Sequence, residues 1–412
     1  MAVWRVVVKS PDAVQTSLQF ADVDLPSGAV LWVYDPRREV VQGPYTRADV
    51  ASGGDLWAAL VPGDTAVVEV DVPQARASDV RLRLAEVHHA FAAFWSNMQP
   101  DAVAAKAGGS AGGCEIDLTC PAGNTWRDDA RAVAMISIGG NFQCTATLLN
   151  DVPGDGTPYM LTAKHCGIGT AGNPASSVTV YWNYQNSICG GSDASLAQSQ
   201  TGATLLVSGA QSDVTLIRLN QTPPAAFDVR FAGWDARGVI PQDGATVHHP
   251  QDDAAKISLF STPAQAQNIS LSSGGVNTST AVWGVFWSQG VTEDGSSGAP
   301  LFDGNHRVVG QLSGGSSNCA NLAGEDFFGR LDVSWNTTTP PLAQFLDPDA
   351  SGRQFADARD ANASPPPVQP GPPPATGGTA GPSAGRSGGG AGDLLLLLGL
   401  AAVGLFRRLG KL

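Results

Sequence analysis

The sequence contains few charged residues and no excess of positive charge. Only 15% of its 412 residues are charged, against 49 glycines and 28 prolines. This composition favours a loop-rich β protein over a helical one. The net charge of −13 comes without the clusters of lysine and arginine that phosphate binding requires. Nucleic acid is therefore not an expected partner.

Paired Cys-x-x-Cys spacing, which is typical of structural zinc sites, is also missing. The six cysteines all fall in the middle of the chain, widely spread: Cys114, Cys120, Cys144, Cys166, Cys189 and Cys319. Their even number and wide spread indicate three disulfides formed in an oxidising compartment, with reduced core thiols as the alternative. His248, His249 and His306 have no acidic or cysteine partners at ligand spacing, so we expect solvated or structural histidines, no metal and no cofactor.

The N-terminus lacks the pattern of a secretory leader. The stretch MAVWRVVVKSPDA has neither the apolar core nor the small-residue cleavage site of a signal peptide. Since disulfides imply export, we expect the N-terminal segment of the precursor to be incomplete here.

Four segments differ in composition. Residues 1–106 contain no cysteine, and alternating runs such as 65–72 and 80–87 predict half-buried strands. Residues 107–362 hold every cysteine and many short apolar runs broken by turn residues, which is the pattern of a β-sandwich or barrel. Residues 363–392 are rich in Pro, Gly and Ser, and we expect a disordered linker there.

Residues 393–412 form an apolar and then basic tail. Its apolar part, 394–406, would reach about 20 Å as a helix, short of the roughly 30 Å hydrocarbon core. The basic residues at its end would lie on the cytoplasmic side. The tail resembles the GlyGly-type C-terminal tails of bacterial exported proteins. This resemblance implies removal near 388–392 by a rhomboid-like sorting protease, and a plain membrane anchor is the alternative.

Three motifs supply the parts of an acyl-transfer site. YMLTAKHCG places His165 at the end of an apolar run, SDVTLIRLN opens a strand with Asp213, and EDGSSGAP places Ser297 in a tight turn. Taken singly, they fit a core histidine, a strand-start aspartate and an ordinary Gly/Ser loop. Their order, His then Asp then Ser, is that of chymotrypsin-type enzymes. We therefore predict Ser297 as nucleophile, His165 as base and Asp213 as the orienting carboxylate.

Glycines on both sides of Ser297 allow a sharp turn without Cβ obstruction. The backbone N–H groups of Gly295 and Ser297 are the predicted oxyanion hole. Ser296 stands where animal zymogen-type enzymes carry the aspartate that pairs with a new N-terminus. That activation switch cannot operate here.

From Cys114 to about Asp360 the chain resembles the bacterial lysyl endopeptidases, and 25–46 resembles their propeptide. The matching stretches include GGCEIDLTCPAG, CTATLLN, YMLTAKHCG, SDVTLIRLN, VHHPQ, GVTEDGSSGAPLF and FLDPDASGRQF. The resemblance implies an all-β, chymotrypsin-like fold of two six-stranded barrels behind a β-rich propeptide at 1–106. It also implies a monomeric secreted serine endopeptidase, whose own propeptide acts as chaperone or inhibitor. The implied disulfides are Cys114–Cys319, Cys120–Cys189 and Cys144–Cys166.

The resemblance also assigns a specificity pocket. Asp326 matches the acidic residue at its base, where a buried carboxylate would bind a basic side chain of a peptide substrate. A surface-loop aspartate is the alternative. Ser313 and Gly315 would form the pocket edge, although the family's type enzyme has a histidine where Ser313 stands. A Ser313 hydroxyl bonded to Asp213 is expected from trypsin-like enzymes, so cleavage after Lys alone and cleavage after Lys and Arg both remain open.

The sequence thus predicts a protein secreted from, or displayed on, a Gram-negative bacterium by way of the periplasm, with its tail held transiently in the inner membrane. Lys106, between the cysteine-free and cysteine-bearing segments, is the expected site of self-maturation. A surface-displayed binding protein without turnover is the rival from another class. A serine protease with a different pocket preference is the rival among enzymes.

Overall fold

The computed structural model describes residues 1–90, 111–140, 142–273 and 276–362, which are mostly β-strand. Lys106, the linker and the apolar tail lie outside these residues. No helix within the described ranges is both long and apolar enough to cross a membrane.

Residues 1–90 form two antiparallel sheets, with strand orders β1-β6-β3-β4 and β5-β2-β7. Side chains such as Leu18, Leu31 and Val68 are fully buried in their shared core. The runs predicted at 65–72 and 80–87 correspond to the sixth and seventh strands. The strands are β1 (Ala2–Lys9), β2 (Gln15–Asp24), β3 (Val30–Tyr34), β4 (Val41–Tyr45), β5 (Leu56–Pro62), β6 (Thr65–Val72) and β7 (Arg81–Ala90).

The next seven strands form one antiparallel sheet, which is closed on itself. The strands are β8 (Val133–Ile138), β9 (Phe142–Leu149), β10 (Tyr159–Ala163), β11 (Thr179–Trp182), β12 (Ser199–Thr201), β13 (Ala203–Gly209) and β14 (Val214–Leu219). Their order is β12-β11-β8-β9-β10-β14-β13. The last strand in this order follows the first in the chain after a bend at Gly202, whose φ is +89°. Segment 199–209 therefore pairs with both ends of the sheet and makes a six-stranded barrel.

The second half of the described chain repeats this architecture in the order β18-β17-β21-β22-β23-β20-β19. Segment 256–273 pairs with β17 through its first half and with β20 through its second half, so this sheet also closes with six strands. The remaining strands and helices are β15 (Arg230–Phe231), β16 (Gly233–Asp235), β17 (Gly244–His248), β18 (Lys256–Phe260), β19 (Gln265–Ser273), β20 (Val276–Phe286), β21 (Pro300–Asp303), β22 (Arg307–Gly315), β23 (Glu325–Arg330), β24 (Phe355–Ala356), β25 (Arg359–Asp360), α1 (Arg127–Ala130), α2 (Leu331–Thr337) and α3 (Ala343–Leu346). The predicted chymotrypsin-like double barrel is confirmed.

Three disulfides join Cys114 to Cys319, Cys120 to Cys189 and Cys144 to Cys166. These are the three pairs that the resemblance implies.

Residues 1–90 pack against the first barrel at β11 and β12. The Leu60 N–H donates to the Tyr181 hydroxyl at 3.0 Å. Gln42 is fully buried, and its amide donates to Leu196 O while accepting from Ser199 Oγ at 2.6 Å. A buried amide satisfied on both sides ties the N-terminal sheets to one defined face of the barrel.

Candidate active site

Strand β10 ends at Ala163, and one 3₁₀ turn, Lys164–Cys166, then presents His165. Strand β14 pairs with β10 and begins directly after Asp213. The imidazole Nδ1 of His165 lies 2.7 Å from Asp213 Oδ2, and the backbone N–H of His165 donates to Asp213 Oδ1 at 3.0 Å. An ionised carboxylate only accepts, so Nδ1 carries the proton and Nε2 is left as the basic nitrogen.

Asp213 is held in a strained conformation at the base of this pair. Its φ is +53°, in the left-handed region that costs a non-glycine residue about 1 kcal/mol or more. Its carbonyl accepts from the N–H of Lys164 at 2.8 Å and from the amide of Gln311 at 3.2 Å. Strain maintained by surrounding hydrogen bonds is typical of functional sites.

The loop that carries Ser297 lies against the strand that presents His165. The Ser297 carbonyl accepts from Thr145 N–H at 2.8 Å and lies 3.9 Å from the Sγ of Cys166. Gly298 has a φ of +82°, and a Cβ there would collide with Thr162 on β10. The structure thus brings the backbone of Ser297 beside the residue that follows His165.

A tight turn from Glu293 to Ser296 precedes the serine. The Ser296 N–H donates to Glu293 O at 3.0 Å, and Gly295 has a φ of +90°. This is the geometry of a type II turn, whose third position favours glycine. A Cβ at Gly295 would also approach His249 O to 2.7 Å. Neither the Gly295 nor the Ser297 N–H donates to another described residue, so both donors are available to a ligand oxygen.

Asp326 lies on β23 and is fully buried. Its Oδ2 accepts from Trp287 Nε1 at 2.6 Å, Thr292 Oγ1 at 2.7 Å and Ser317 Oγ at 2.5 Å. Its Oδ1 accepts from the Ser317 N–H at 3.0 Å. These four donors can stabilise a buried negative charge.

The predicted pocket edge lies opposite Asp326. Gly315 pairs with Asp326 across the ladder of β22 and β23, and a Cβ on Gly315 would collide with the carboxylate. Ser313 lies at an irregularity of this ladder. Its hydroxyl is buried and has no hydrogen-bond partner among the described residues. The expected hydrogen bond to Asp213 is therefore not formed, and that prediction is wrong. The backbone at Asp213 is held by Gln311 instead of Ser313, because the Gln311 amide donates to the Ser212 and Asp213 carbonyls.

The three histidines singled out above have protein partners. His248 and His249 are buried, and burial lowers their pKa values to about 3 and about 4. The His306 Nδ1 lies 2.6 Å from Asp129 Oδ2, and its ring lies 4.4 Å from the Trp126 ring, tilted by 38°. Across the described ranges, no group of three or more His, Cys, Asp or Glu side chains is arranged to hold a metal ion.

Sequence reasoning missed the residues that surround the buried carboxylate. Trp287 and Asp326 are 39 residues apart and meet because β20 pairs with β23, with Val285 opposite Asp326. That register cannot be read from either segment alone. Thr292 stands within the motif that holds Ser297, and its proximity to that motif was the only signal available.

Comparison with known proteins places this geometry in a family. The family model "Lysyl endopeptidase, C-terminal domain" matches residues 108–329, more than half of the chain. The chain belongs to the lysyl endopeptidase family. The lysyl endopeptidase of Pseudomonas aeruginosa is 31% identical over 293 residues, which cover 65% of this chain and 60% of that protein. The match thus spans less than two thirds of that relative.

Solved structures show weaker likeness. The active form of the Rv3671c protease of M. tuberculosis is 20% identical, with a TM-score of 0.34 over 50% of this chain and 78% of that one. Human heparin binding protein is 14% identical, with a TM-score of 0.35 over 50% of this chain and 88% of that one. Similarities this low do not establish a common fold by themselves, and the strand order described above carries that assignment.

Proposed function

We propose that the protein is a secreted serine endopeptidase that cleaves peptide bonds after basic residues, with lysine preferred over arginine. The observation that carries this proposal is the 2.7 Å pair of His165 and Asp213 beside the backbone of Ser297. Family membership supports the same activity.

In the proposed mechanism, Ser297 Oγ attacks the substrate carbonyl carbon while His165 Nε2 takes the hydroxyl proton. Asp213 stabilises the imidazolium, and the N–H groups of Gly295 and Ser297 bind the oxyanion. The imidazolium then gives its proton to the leaving amine as the C–N bond breaks, leaving an acyl-enzyme. Water attacks the ester by the same proton route and restores Ser297.

The preference for lysine is supported by the hydrogen bonds of Asp326. With three donors on Oδ2 and no exposed surface, this carboxylate does not offer two open oxygens to a guanidinium fork. The hydroxyls of Thr292 and Ser317 donate inward to Asp326. Ser317 Oγ also accepts from the Thr292 N–H at 3.0 Å, so it keeps one lone pair for an ammonium, and Thr292 Oγ1 keeps its lone pairs as well. A lysine side chain would bind those lone pairs, with the carboxylate behind them balancing its charge.

The proposal extends to maturation and export. The enzyme would be released from its propeptide at Lys106, and a rhomboid-like protease would remove the apolar tail after export through the periplasm of a Gram-negative bacterium. The three disulfides support an oxidising destination. A Ser297→Ala precursor should stay uncut at Lys106 in a protease-poor host, and cleavage of that variant there would mean processing by another enzyme.

The test uses the full chain with and without Ser297→Ala. We expect a fluorophosphonate probe to label the parent protein and not the variant, and peptide amides with Lys before the cut to be hydrolysed faster than those with Arg. Labelling without hydrolysis of any peptide in a library would favour the binding-protein alternative. Rapid cleavage after neutral residues would contradict the pocket assignment.

A further inference from the structure

The turn that carries the oxyanion donors rests on a buried polar chain centred on His248. This histidine is fully buried at the end of β17. Its Nδ1 lies 2.8 Å from Ser296 Oγ, and its Nε2 lies 3.3 Å from Ser258 Oγ. None of these side chains takes part in the mechanism above.

The hydrogen bonds fix the direction of this chain. Ser258 Oγ donates to Val291 O at 2.6 Å, so it accepts from His248 Nε2–H. The other ring nitrogen, Nδ1, then accepts from the Ser296 hydroxyl. A neutral ring in a single tautomer satisfies every bond, and burial, which lowers the histidine pKa, favours that neutral form.

The Ser296 hydroxyl links the two ends of the turn from Glu293 to Ser296. Ser296 Oγ accepts from the Glu293 N–H at 3.3 Å, while the Ser296 N–H closes the turn to Glu293 O. Removing this oxygen leaves His248 Nδ1 without a donor and the Glu293 N–H without its side-chain acceptor. Thr145 Oγ1 would still donate to the Gly295 carbonyl at 3.1 Å, but the turn would lose both side-chain contacts on the Ser296 side that help to fix the direction of the Gly295 N–H.

Residues 111–118, which we call the strap, pack against the hydrogen-bonded side chain of His248 and against the turn that begins at Glu293. The Gly112 N–H donates to Glu293 Oε2 at 2.9 Å, and Cys114 is joined to Cys319. Glu115 has a side chain only 1% exposed, 3.7 Å from His248 Nε2. The strap is therefore in contact with both the turn and the histidine that supports it.

We propose that His248 and Ser296 are positioning residues of the oxyanion hole. We propose further that the strap holds the turn from Glu293 to Ser296 in the conformation in which the Gly295 N–H points to the substrate. This arrangement stands where animal enzymes use an aspartate and a new N-terminal amine. The proposal rests on the proposed peptidase function, because it assigns the support of that same site.

The experiment compares mature Ser296→Ala with the parent enzyme on a lysyl peptide amide. Oxyanion donors act mainly in the transition state, so kcat should fall about tenfold or more while KM stays within about twofold. Affinity for a lysyl peptide boronate, which forms a tetrahedral adduct, should fall in step with kcat/KM. Affinity for the non-covalent product peptide should stay unchanged.

Two further comparisons separate positioning from general damage. His248→Asn keeps an acceptor for the Ser296 hydroxyl and should retain most of the kcat that His248→Leu loses. Ser177→Ala removes an equally buried hydroxyl in the first barrel, bonded to Gly139 N and Pro174 O, and should leave kcat unchanged. If the His248→Leu variant does not fold, the comparison of kcat between Ser296→Ala and Ser177→Ala still tests the proposal.

An unchanged kcat in Ser296→Ala, or a loss carried by KM and product affinity, would overturn the inference and leave the peptidase assignment standing. A parent enzyme that hydrolyses no peptide would instead defeat the proposed function. The two failures are therefore distinguishable in one set of assays.

Discussion

Asp213 accepts two hydrogen bonds from His165, one from the imidazole at 2.7 Å and one from the backbone N–H at 3.0 Å. The first sets the tautomer and orientation of the ring, and the second fixes the turn that carries it.

Replacing Asp213 by Asn should leave the fold intact and place the wrong tautomer in the site. An amide can donate to Nδ1, which moves the proton to Nε2 and removes the base. We expect kcat to fall on the order of 10⁴-fold with little change in KM. Steady-state kinetics on a lysyl amide would check this, and a loss below tenfold would remove Asp213 from the mechanism.

Asp326→Asn should reduce kcat/KM on lysyl and arginyl substrates far more than on neutral ones. The variant loses the charge that balances a desolvated cation, and we expect a loss on the order of 10²-fold or more. Matched peptides that differ only in the residue before the cut would measure it. Equal losses on basic and neutral peptides would place Asp326 outside the pocket.

Trp287→Phe should relax the choice between the two basic residues. The variant removes one of three donors from Asp326 Oδ2 and leaves an acceptor for a guanidinium. We expect the ratio of arginyl to lysyl kcat/KM to rise on the order of tenfold. An unchanged ratio would show that the indole N–H plays no part in discrimination.

The buried acid of the strap should make stability depend on pH. Burial first, and the charge of Glu293 second, raise the pKa of Glu115 to about 9. The native protein therefore keeps a proton that the unfolded chain loses above its ordinary pKa near 4.5, so stability falls as pH rises from about 4.5 to 9.

Glu115→Gln should remove this slope and stabilise the protein by about 3 kcal/mol at pH 7. Besides Glu293, the charges that act on this position are Asp253, Asp326 and Lys256, and all three remain in the variant. Urea unfolding would measure the difference at several pH values, with both proteins carrying Ser297→Ala so that the proposed peptidase activity does not digest the sample. Parallel pH profiles for the two proteins would contradict the prediction.

The disulfides should differ in what their removal costs. Replacing Cys144 and Cys166 together by Ser opens a loop of 22 residues and should cost about 3 kcal/mol. The same change at Cys120 and Cys189, which are 69 residues apart, should cost about 4 kcal/mol. Only the first pair adjoins His165 and Ser297, so kcat of the folded fraction should fall only there. Equal effects on kcat would refute this division.

The fold and the catalytic candidates could be predicted from the sequence because each rests on local sequence patterns. Alternating runs such as 65–72 mark strands wherever they pack, and the order of His165, Asp213 and Ser297 survives any change in loop length.

Contacts that depend on strand register could not be foreseen. Trp287 reaches Asp326 only through the pairing of β20 with β23, and His248 reaches Ser296 across 48 residues. The hydrogen bond predicted between Ser313 and Asp213 is wrong because the register of β22 and β23 shifts at Ser313. A residue-by-residue comparison with trypsin-like enzymes cannot detect such a shift. Long-range register therefore accounts for both the omissions and the error.

The way each barrel closes has a kinetic consequence. In the first barrel β8 pairs with β11 and β10 with β14, and in the second barrel β17 pairs with β21 and β20 with β23. The two strands of each pair are distant in sequence, so neither barrel is complete until long loops have been ordered. Such non-local pairing slows the search for the native state. The N-terminal sheets bond to Tyr181, Leu196 and Ser199, within or beside the strands that close the first barrel. If the proposed cleavage at Lys106 removes those sheets, a protease domain that unfolds afterwards has lost its template for closing the first barrel. Its working lifetime would then be set by its unfolding rate.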